Sequence, residues 1–402
     1  MSHPADQAGT SPRTKLRLTP TERRASVTLA LLFASRMLGL FLLTPIFAVA
    51  AQTIPGGNDA ARVGLALGAY GLTQAIMQIP LGMASDRYGR RPVIVFGMLL
   101  FIIGGVICAL AENVDWIIAG RVIQGLGAVS AAITAWVADA TRPEVRTRAM
   151  AMVGGSIGIS FAVSLVLSPM LVGEFGLSGL FWAISLLGFV CLLIACFVVP
   201  AVPQAKAPIV QARPRDVLGH IDLLRLNFGV FCLHFILMAL FIVAPGLLAT
   251  LGGYDSANLW EVYLPVILVS FVLMVPAVFY TETRRAHKIA LEIAVAGLAV
   301  VLALMPLASH SFVATVAMLI GFFIAFNILE ALQPSLVSRV APPEYKGLAL
   351  GFYNTAQSLG VFMGGAVGGL LASVNRSSAV FLVSAALAFV WFLTARGFKA
   401  QS

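Results

Sequence analysis

Hydrophobic positions in this chain come in long blocks, without the alternation of a half-buried strand. The blocks lie near 26–51, 61–84, 92–112, 115–138, 147–173, 179–199, 226–251, 258–281, 288–307, 311–337, 346–372 and 377–396. Each holds about 20 residues or more, enough to cross a hydrocarbon core of roughly 30 Å as a helix. Twelve blocks with mostly short gaps predict twelve transmembrane helices with antiparallel neighbours. The missing alternation excludes a β-barrel.

The polar stretches organise the rest. Residues 1–25 form a Pro/Ser/Thr-rich tail without the apolar core or cleavage site of a secretory signal. Residues 200–225 form the longest connector, carrying Pro203, Pro208 and Pro214, and its end from Asp216 to Leu224 suits a short interfacial helix. It separates two six-helix bundles, 26–199 and 226–396, and residues 397–402 form a final tail. Arg142-Pro143-Glu144-Val145-Arg146 and Pro342-Pro343-Glu344-Tyr345-Lys346 sit 200 positions apart, each after a long block. Duplicated halves with a substrate path between them are a transporter signature.

Composition agrees with this reading. Of 402 residues, 59% are hydrophobic and 11% charged, against roughly a quarter charged in an average soluble domain. A water-soluble globule could not cover itself with so few charges. The net charge of +9 suggests nucleic acid at first sight, but its distribution says otherwise. Of 26 Lys and Arg residues, 22 fall in segments on one side, Arg62 and Arg376 fall on the other, and Arg36 and Arg121 lie inside blocks. The positive-inside rule therefore puts both termini in the cytoplasm and accounts for the charge without a nucleic-acid partner. Trp116, Trp182 and Trp260 lie near the opposite helix ends, where an aromatic belt is expected. The cysteines Cys108, Cys191, Cys196 and Cys232 lack metal or disulfide spacing and read as small buried hydrophobes.

The sharpest motif lies between the second and third blocks: Gly82-Met-Ala-Ser-Asp86-Arg87-Tyr-Gly89-Arg90-Arg91-Pro92. A cytoplasmic loop explains the three arginines but not Asp86 with its glycines. This run resembles the signature loop of the major facilitator superfamily. Gly120-Arg121-Val-Ile-Gln124-Gly125 in the fourth block resembles that family's arginine motif, associated with proton coupling. An arginine at such depth costs about 2.5–3.5 kcal/mol or more unless paired or hydrated; the alternative is a side chain snorkelling to the interface. Gly158, Ser168-Pro169 and Gly173 resemble the antiporter motif of the fifth helix more weakly, since Ser-Pro replaces Gly-Pro. Ser35-Arg36-Met37-Leu38-Gly39, Tyr70-Gly71-Leu72-Thr73-Gln74-Ala75 and Ala325-Phe326-Asn327 extend the likeness to YajR-type transporters, grouped with proton-driven drug efflux carriers. A YajR-type member carries a soluble domain after the twelfth helix; none is expected here, where six residues follow Arg396.

The resemblance implies an all-α membrane fold of two pseudo-symmetric halves in a bacterial inner membrane. It also implies a conformational latch of Gly82, Asp86, Arg87, Gly89, Arg90, Arg91 and Asp139. In that latch Asp86 faces the N-terminus of the eleventh helix near Tyr345–Gly347 when the carrier is open outward, and Arg90 bridges to Asp139. A carboxylate at a helix N-terminus gains roughly 0.3–1 kcal/mol. In this fold the first, fourth, seventh and tenth helices line a central cavity, and each carries one unexpected polar group: Arg36, Arg121, His234 and Glu330. Intramembrane ionisable residues are functional candidates by default, although an Arg36–Glu330 ion pair and a hydrogen-bonded core His234 are the plainer structural alternatives. Gln74, Asn327, Tyr353 and Gln357 add hydrogen-bonding capacity.

No phosphate-binding Gly-Lys-Ser/Thr loop, metal-ligand cluster or catalytic triad stands out, so neither an ATP-driven pump nor an enzyme is expected, and no cofactor. The expected protein is a monomeric secondary transporter whose partners are a small-molecule substrate, protons and the lipid bilayer. Proton-coupled efflux of amphipathic compounds is the favoured activity. A proton-linked nutrient symporter, or a receptor or scaffold that keeps the fold without transport, are the alternatives.

Overall fold

The computed structural model describes residues 18–200, 214–284, 286–342, 346–374 and 377–399. Most of the polar tail, connector residues 201–213, Arg285, residues 343–345 (with Tyr345) and Arg376 lie outside the described residues. The helices are α1 (Pro20–Phe41), α2 (Phe47–Ala50), α3 (Ala60–Tyr88), α4 (Arg90–Ala109), α5 (Val114–Leu126), α6 (Ser130–Asp139) and α7 (Pro143–Leu193). After the connector come α8 (Pro214–Leu218), α9 (Ile221–Gly252), α10 (Trp260–Arg284), α11 (His287–Ala308), α12 (Phe312–Val340), α13 (Lys346–Ser373) and α14 (Ser377–Arg396). Strands are absent among the described residues.

Two apolar blocks differ in detail from single helices. The first starts earlier, at Pro20, because Thr19 and Glu22 form a capping box with Pro20 at the first helical position. It then breaks after Phe41, ahead of Thr44-Pro45, where the proline removes a backbone donor and disfavours helix in the residue before it. The fourth block breaks at Gly127–Val129, dividing α5 from α6. The fifth and sixth blocks are two helices, as the gap between 173 and 179 predicts: within α7 the backbone leaves helical geometry at Gly176 (φ 66°), a conformation that glycine adopts without a Cβ penalty.

Hydrogen bonds show that α7 doubles back. On its first arm Ser160 Oγ donates to the Ala34 carbonyl at 2.8 Å and Ser168 Oγ to that of Leu42. On the return arm Cys191 Sγ donates to the Leu32 carbonyl at 3.6 Å. The first arm thus runs along α1 in the same direction and the second in the opposite one. Ten stretches among the described residues are long and apolar enough to cross a membrane, and one of them, Met152–Val198, contains both arms. The 29-residue α3 falls outside that set.

Charge gathers at one end of the bundle. Arg90 at the start of α4 meets Asp139 at the end of α6, Arg142 meets Glu22 at the start of α1, and Arg225 at the start of α9 meets the Gly397 carbonyl beyond α14. We refer to this as the basic end.

Candidate functional site

The two halves meet through helices whose side chains have been reduced to hydrogen. Along α3 and α13, a Cβ on Gly64 would stand 2.1 Å from the Gly365 carbonyl oxygen, and one on Gly71 would stand 2.5 Å from that of Ser358. Lipid tails offer no hydrophobic drive for helix association, so such backbone approach supplies the contact through van der Waals packing. Toward the same end Tyr263 Oη donates to the Pro45 carbonyl at 3.1 Å, joining α10 to the segment after α1. Midway down, Phe161 of α7 inserts among Phe241, Phe323 and Phe326 of the other half, with ring centroids 6.4, 6.0 and 5.6 Å away.

At the basic end the picture reverses. Methyl groups placed on Gly154, Gly155 or Gly158 of α7, or on Gly347 or Gly351 of α13, would meet no atom within 4 Å. The ion pairs described there stay within one half: Arg90 with Asp86 and Asp139, Arg142 with Glu22, Arg225 with Asp222. The described contacts between halves therefore gather at the far end, and the bundle is open toward its basic end.

The signature loop closes on itself in this state. Arg90 Nε donates to Asp139 Oδ2 at 2.8 Å, and its Nη1 donates to Ser85 Oγ at 2.8 Å and to Asp86. Asp86 itself is 67% exposed. Arg91 donates to the Val199 carbonyl at 2.7 Å and lies over the Trp136 ring, while Arg87 lies over Tyr88. Gly89, with φ 98°, ends α3 and starts α4 in a conformation that favours glycine. At Gly82 a methyl would make only ordinary contact with Ala131 at 3.5 Å, so close packing does not demand glycine there. Contact between Asp86 and the segment before α13 falls on residues 343–345, outside the described ones.

Four ionisable groups on α1, α5, α9 and α12 separate into two clusters. In the first half Arg36, 1% exposed, donates from Nη1 to Ser130 Oγ at 2.6 Å and from Nη2 to Tyr70 Oη at 2.5 Å. Arg121 is equally buried; its guanidinium lies 4.8 Å from the Tyr70 ring centroid and its Nη1 donates to Gln124 Oε1 at 3.0 Å. Tyr70 thus serves both arginines, one through its hydroxyl and one through its π face. Arg121 turns inward and does not snorkel, and Arg36 bonds to hydroxyls where an ion pair with Glu330 was the structural alternative. Both Nε atoms lack a hydrogen-bond partner.

The second cluster holds His234 and Glu330. The imidazole Nδ1 lies 3.1 Å from the Val230 carbonyl, Nε2 lies 2.7 Å from Gln357 Nε2, and Glu330 Oε2 is 3.7 Å from the same Nε2. Glu330 Oε2 and the Tyr353 hydroxyl are buried without hydrogen-bond partners. Asn327, one turn from Glu330, donates to Ser270 Oγ at 3.3 Å. Gln74 is buried on α3.

Sequence reasoning missed Tyr70 as the hinge of the arginine cluster, Ser130 as a partner and Phe161 as the ring that crosses between halves. None has a local signal, because each acts through a residue far away in the chain. Glu22 did have one: Thr19-x-x-Glu22 ahead of an apolar run is a capping-box pattern.

Residues 29–365 match the sequence profile of the Major Facilitator Superfamily. The chain is 41% identical over 387 residues to the inner membrane transport protein YajR of Escherichia coli, covering 95% of this chain and 85% of that one. A shorter stretch of 158 residues, 39% of this chain and 40% of the relative, is 31% identical to the multidrug resistance protein MdtL of the same species. Among solved structures, a bacterial homologue of the human lysosomal transporter Spinster, inward-facing and occupied, superposes with a TM-score of 0.74. It covers 95% of this chain and 99% of its own at 15% identity, a likeness of fold alone.

Proposed function

This chain belongs to the major facilitator superfamily, a multi-pass membrane transporter and not an enzyme, and we propose that it exports small amphipathic compounds in exchange for protons. The observation that carries proton coupling is the His234–Glu330 pair. A buried histidine and a half-buried carboxylate 3.7 Å apart on membrane helices change net charge when one proton arrives. The ring cluster around Phe161 borders this pair through Phe326, 6.2 Å from the imidazole, and offers apolar surface beside it. The partial likeness to MdtL supports the export direction.

The reading includes twelve crossings, reached by counting α3 and both arms of α7. It places the basic end in the cytoplasm of a bacterial inner membrane, supported by the arginine distribution and the location given for YajR. The carrier then works by rocking its halves about the midplane. In the present state the far end is sealed and the signature loop is closed on its own half; the latch to α13 belongs to the opposite state.

Proteoliposomes loaded with a pH dye test it. Offered a panel of amphipathic drugs and metabolites, wild type is expected to give substrate-triggered proton flux that Glu330→Gln loses. Flux retained in that variant would remove Glu330 from the coupling site, and flux triggered only by nutrients moving with the proton would make the protein a symporter.

A further inference from the structure

The Val230 carbonyl, 3.1 Å from His234 Nδ1, can only accept, so Nδ1 carries the proton of the neutral imidazole. Nε2 is then a bare lone pair. Gln357, reaching across from α13, places its amide nitrogen 2.7 Å from that lone pair and donates to it. Glu330, from α12, holds a carboxylate oxygen 3.7 Å from the same atom, too far for a hydrogen bond. Two side chains from two different helices thus compete for one nitrogen, and the protonation state of that nitrogen decides between them.

We infer that Gln357 is the positioning residue of this site: it holds His234 in the unprotonated state, and Glu330 is the partner that replaces it when a proton binds. The inference rests on the proton-coupling reading given above and adds the event that coupling triggers. A proton arriving at Nε2 makes it an N–H donor. The Gln357 amide hydrogens then face a donor and must turn away, while the Glu330 carboxylate gains the acceptor role it lacks in the present arrangement. The charges balance: the imidazolium carries +1, Glu330 remains −1, and the pair is neutral.

The exchange has a mechanical consequence because the partners sit on different helices. α9 loses its side-chain hydrogen bond to α13, against which it stays packed along Gly360, Gly364 and Gly368, and gains one to α12. Further along, α13 is the helix whose Gly365 backbone lies against Gly64 of α3 and seals the far end. Releasing the α9–α13 bond therefore acts on the helix that must part from α3 when the carrier opens the other way. Besides His234 and Glu330, the helices that carry this site hold the titratable Tyr353 on α13, one turn from Gln357, with a buried hydroxyl that has no hydrogen-bond partner. Among the described residues no other carboxylate lies within 4.0 Å of the imidazole.

The test is a titration of 15N-histidine-labelled protein in nanodiscs, with the His234 signals assigned by their loss in His234→Asn. Wild type is expected to give the Nδ1–H tautomer at high pH. Gln357→Met removes the donor that favours the neutral ring, so its midpoint is expected to rise by about half a unit to one unit, the size of one hydrogen bond. Gln357→Glu offers an acceptor and is expected to raise it further, and Glu330→Gln to lower it. An Nε2–H tautomer at high pH, or midpoints that do not move in this order in variants that keep the wild-type elution profile, would overturn the inference. Proton flux in proteoliposomes separates the two levels. The ordered midpoints without flux would leave the switch standing and remove proton-coupled transport; flux without the ordered midpoints would do the reverse.

Discussion

Glu22 holds Arg142 through three donors. The backbone N–H and Nε of Arg142 donate to Oε1 at 3.0 and 2.7 Å, and Nη2 donates to Oε2 at 3.0 Å. The same carboxylate accepts from the Thr19 backbone at 2.8 Å, so one side chain caps the start of α1 and pins it to the corner between α6 and α7. Charge-assisted hydrogen bonds contribute about 1.5–3 kcal/mol. Arg142 is 47% exposed, so solvent screening lowers that. Glu22→Gln is expected to cost about 1–2 kcal/mol, read as a lower melting temperature in detergent, with transport rates close to wild type once the protein is folded.

That clasp marks the boundary of what the chain reveals unaided. Helix positions were legible because each apolar block must satisfy its own backbone inside lipid, which leaves little choice but helix. The ends of those helices were less so. Pro45 and Gly127 act locally against a hydropathy that runs on past them, whereas Gly176 falls in the gap between the fifth and sixth blocks, where Glu174 and the glycines already interrupt the apolar run. At the site, the sequence exposed the expensive residues, Arg36, Arg121, His234 and Glu330, because charge inside a block is conspicuous. Their partners Tyr70, Ser130 and Gln357 are ordinary polar residues, and only the tertiary arrangement makes them specific. The Arg90–Asp139 pair was legible through the signature loop, but the partners of the membrane-embedded charges were not: Arg36 turned to hydroxyls and Glu330 to a histidine.

Asp86 should separate stability from transport. In the present state it is exposed and bound to Arg90, which keeps its other bonds to Ser85 and Asp139 if Asp86 is lost. Asp86→Asn is expected to change stability by less than about 0.5 kcal/mol, as exposed substitutions do, yet to abolish transport because the opposite state loses its latch. Melting curves and uptake in the same preparation check it. Transport at the wild-type rate would sink the latch.

The arginine cluster makes an opposite kind of prediction. Arg36 is a buried charge bonded to two neutral hydroxyls, an arrangement that is costly to build. Arg36→Met keeps the length and removes the charge; it relieves desolvation but leaves Ser130 and Tyr70 without their donor, at about 1–3 kcal/mol each if unsatisfied. These effects oppose each other, and the variant is expected to melt close to wild type while losing at least tenfold in transport. Tyr70→Phe, which keeps the ring under Arg121 and removes only the hydroxyl, is expected to lose stability and less transport. A fully active Arg36→Met would make the charge structural.

The seal between α3 and α13 offers the most direct control over conformation. A Cβ on Gly64 would stand 2.1 Å from the Gly365 carbonyl oxygen and 2.8 Å from the Gly369 Cα, and both neighbours are backbone with no flexible end to move aside. Gly64→Val therefore cannot keep the far end closed in its present form. It is expected to shift the protein toward the state in which that end is parted and the basic end is shut. A reporter can be placed where the present state has room: a cysteine at Gly154 meets no atom with its Cβ. Of the native cysteines Cys108, Cys191 and Cys232 are buried, so replacing the partly exposed Cys196 leaves a clean background. Labelling of Gly154→Cys by a membrane-impermeant thiol reagent in inside-out vesicles is expected to fall several-fold when Gly64→Val is added. Unchanged labelling would mean that the two ends open independently, and rocking about a midplane site would no longer describe this protein.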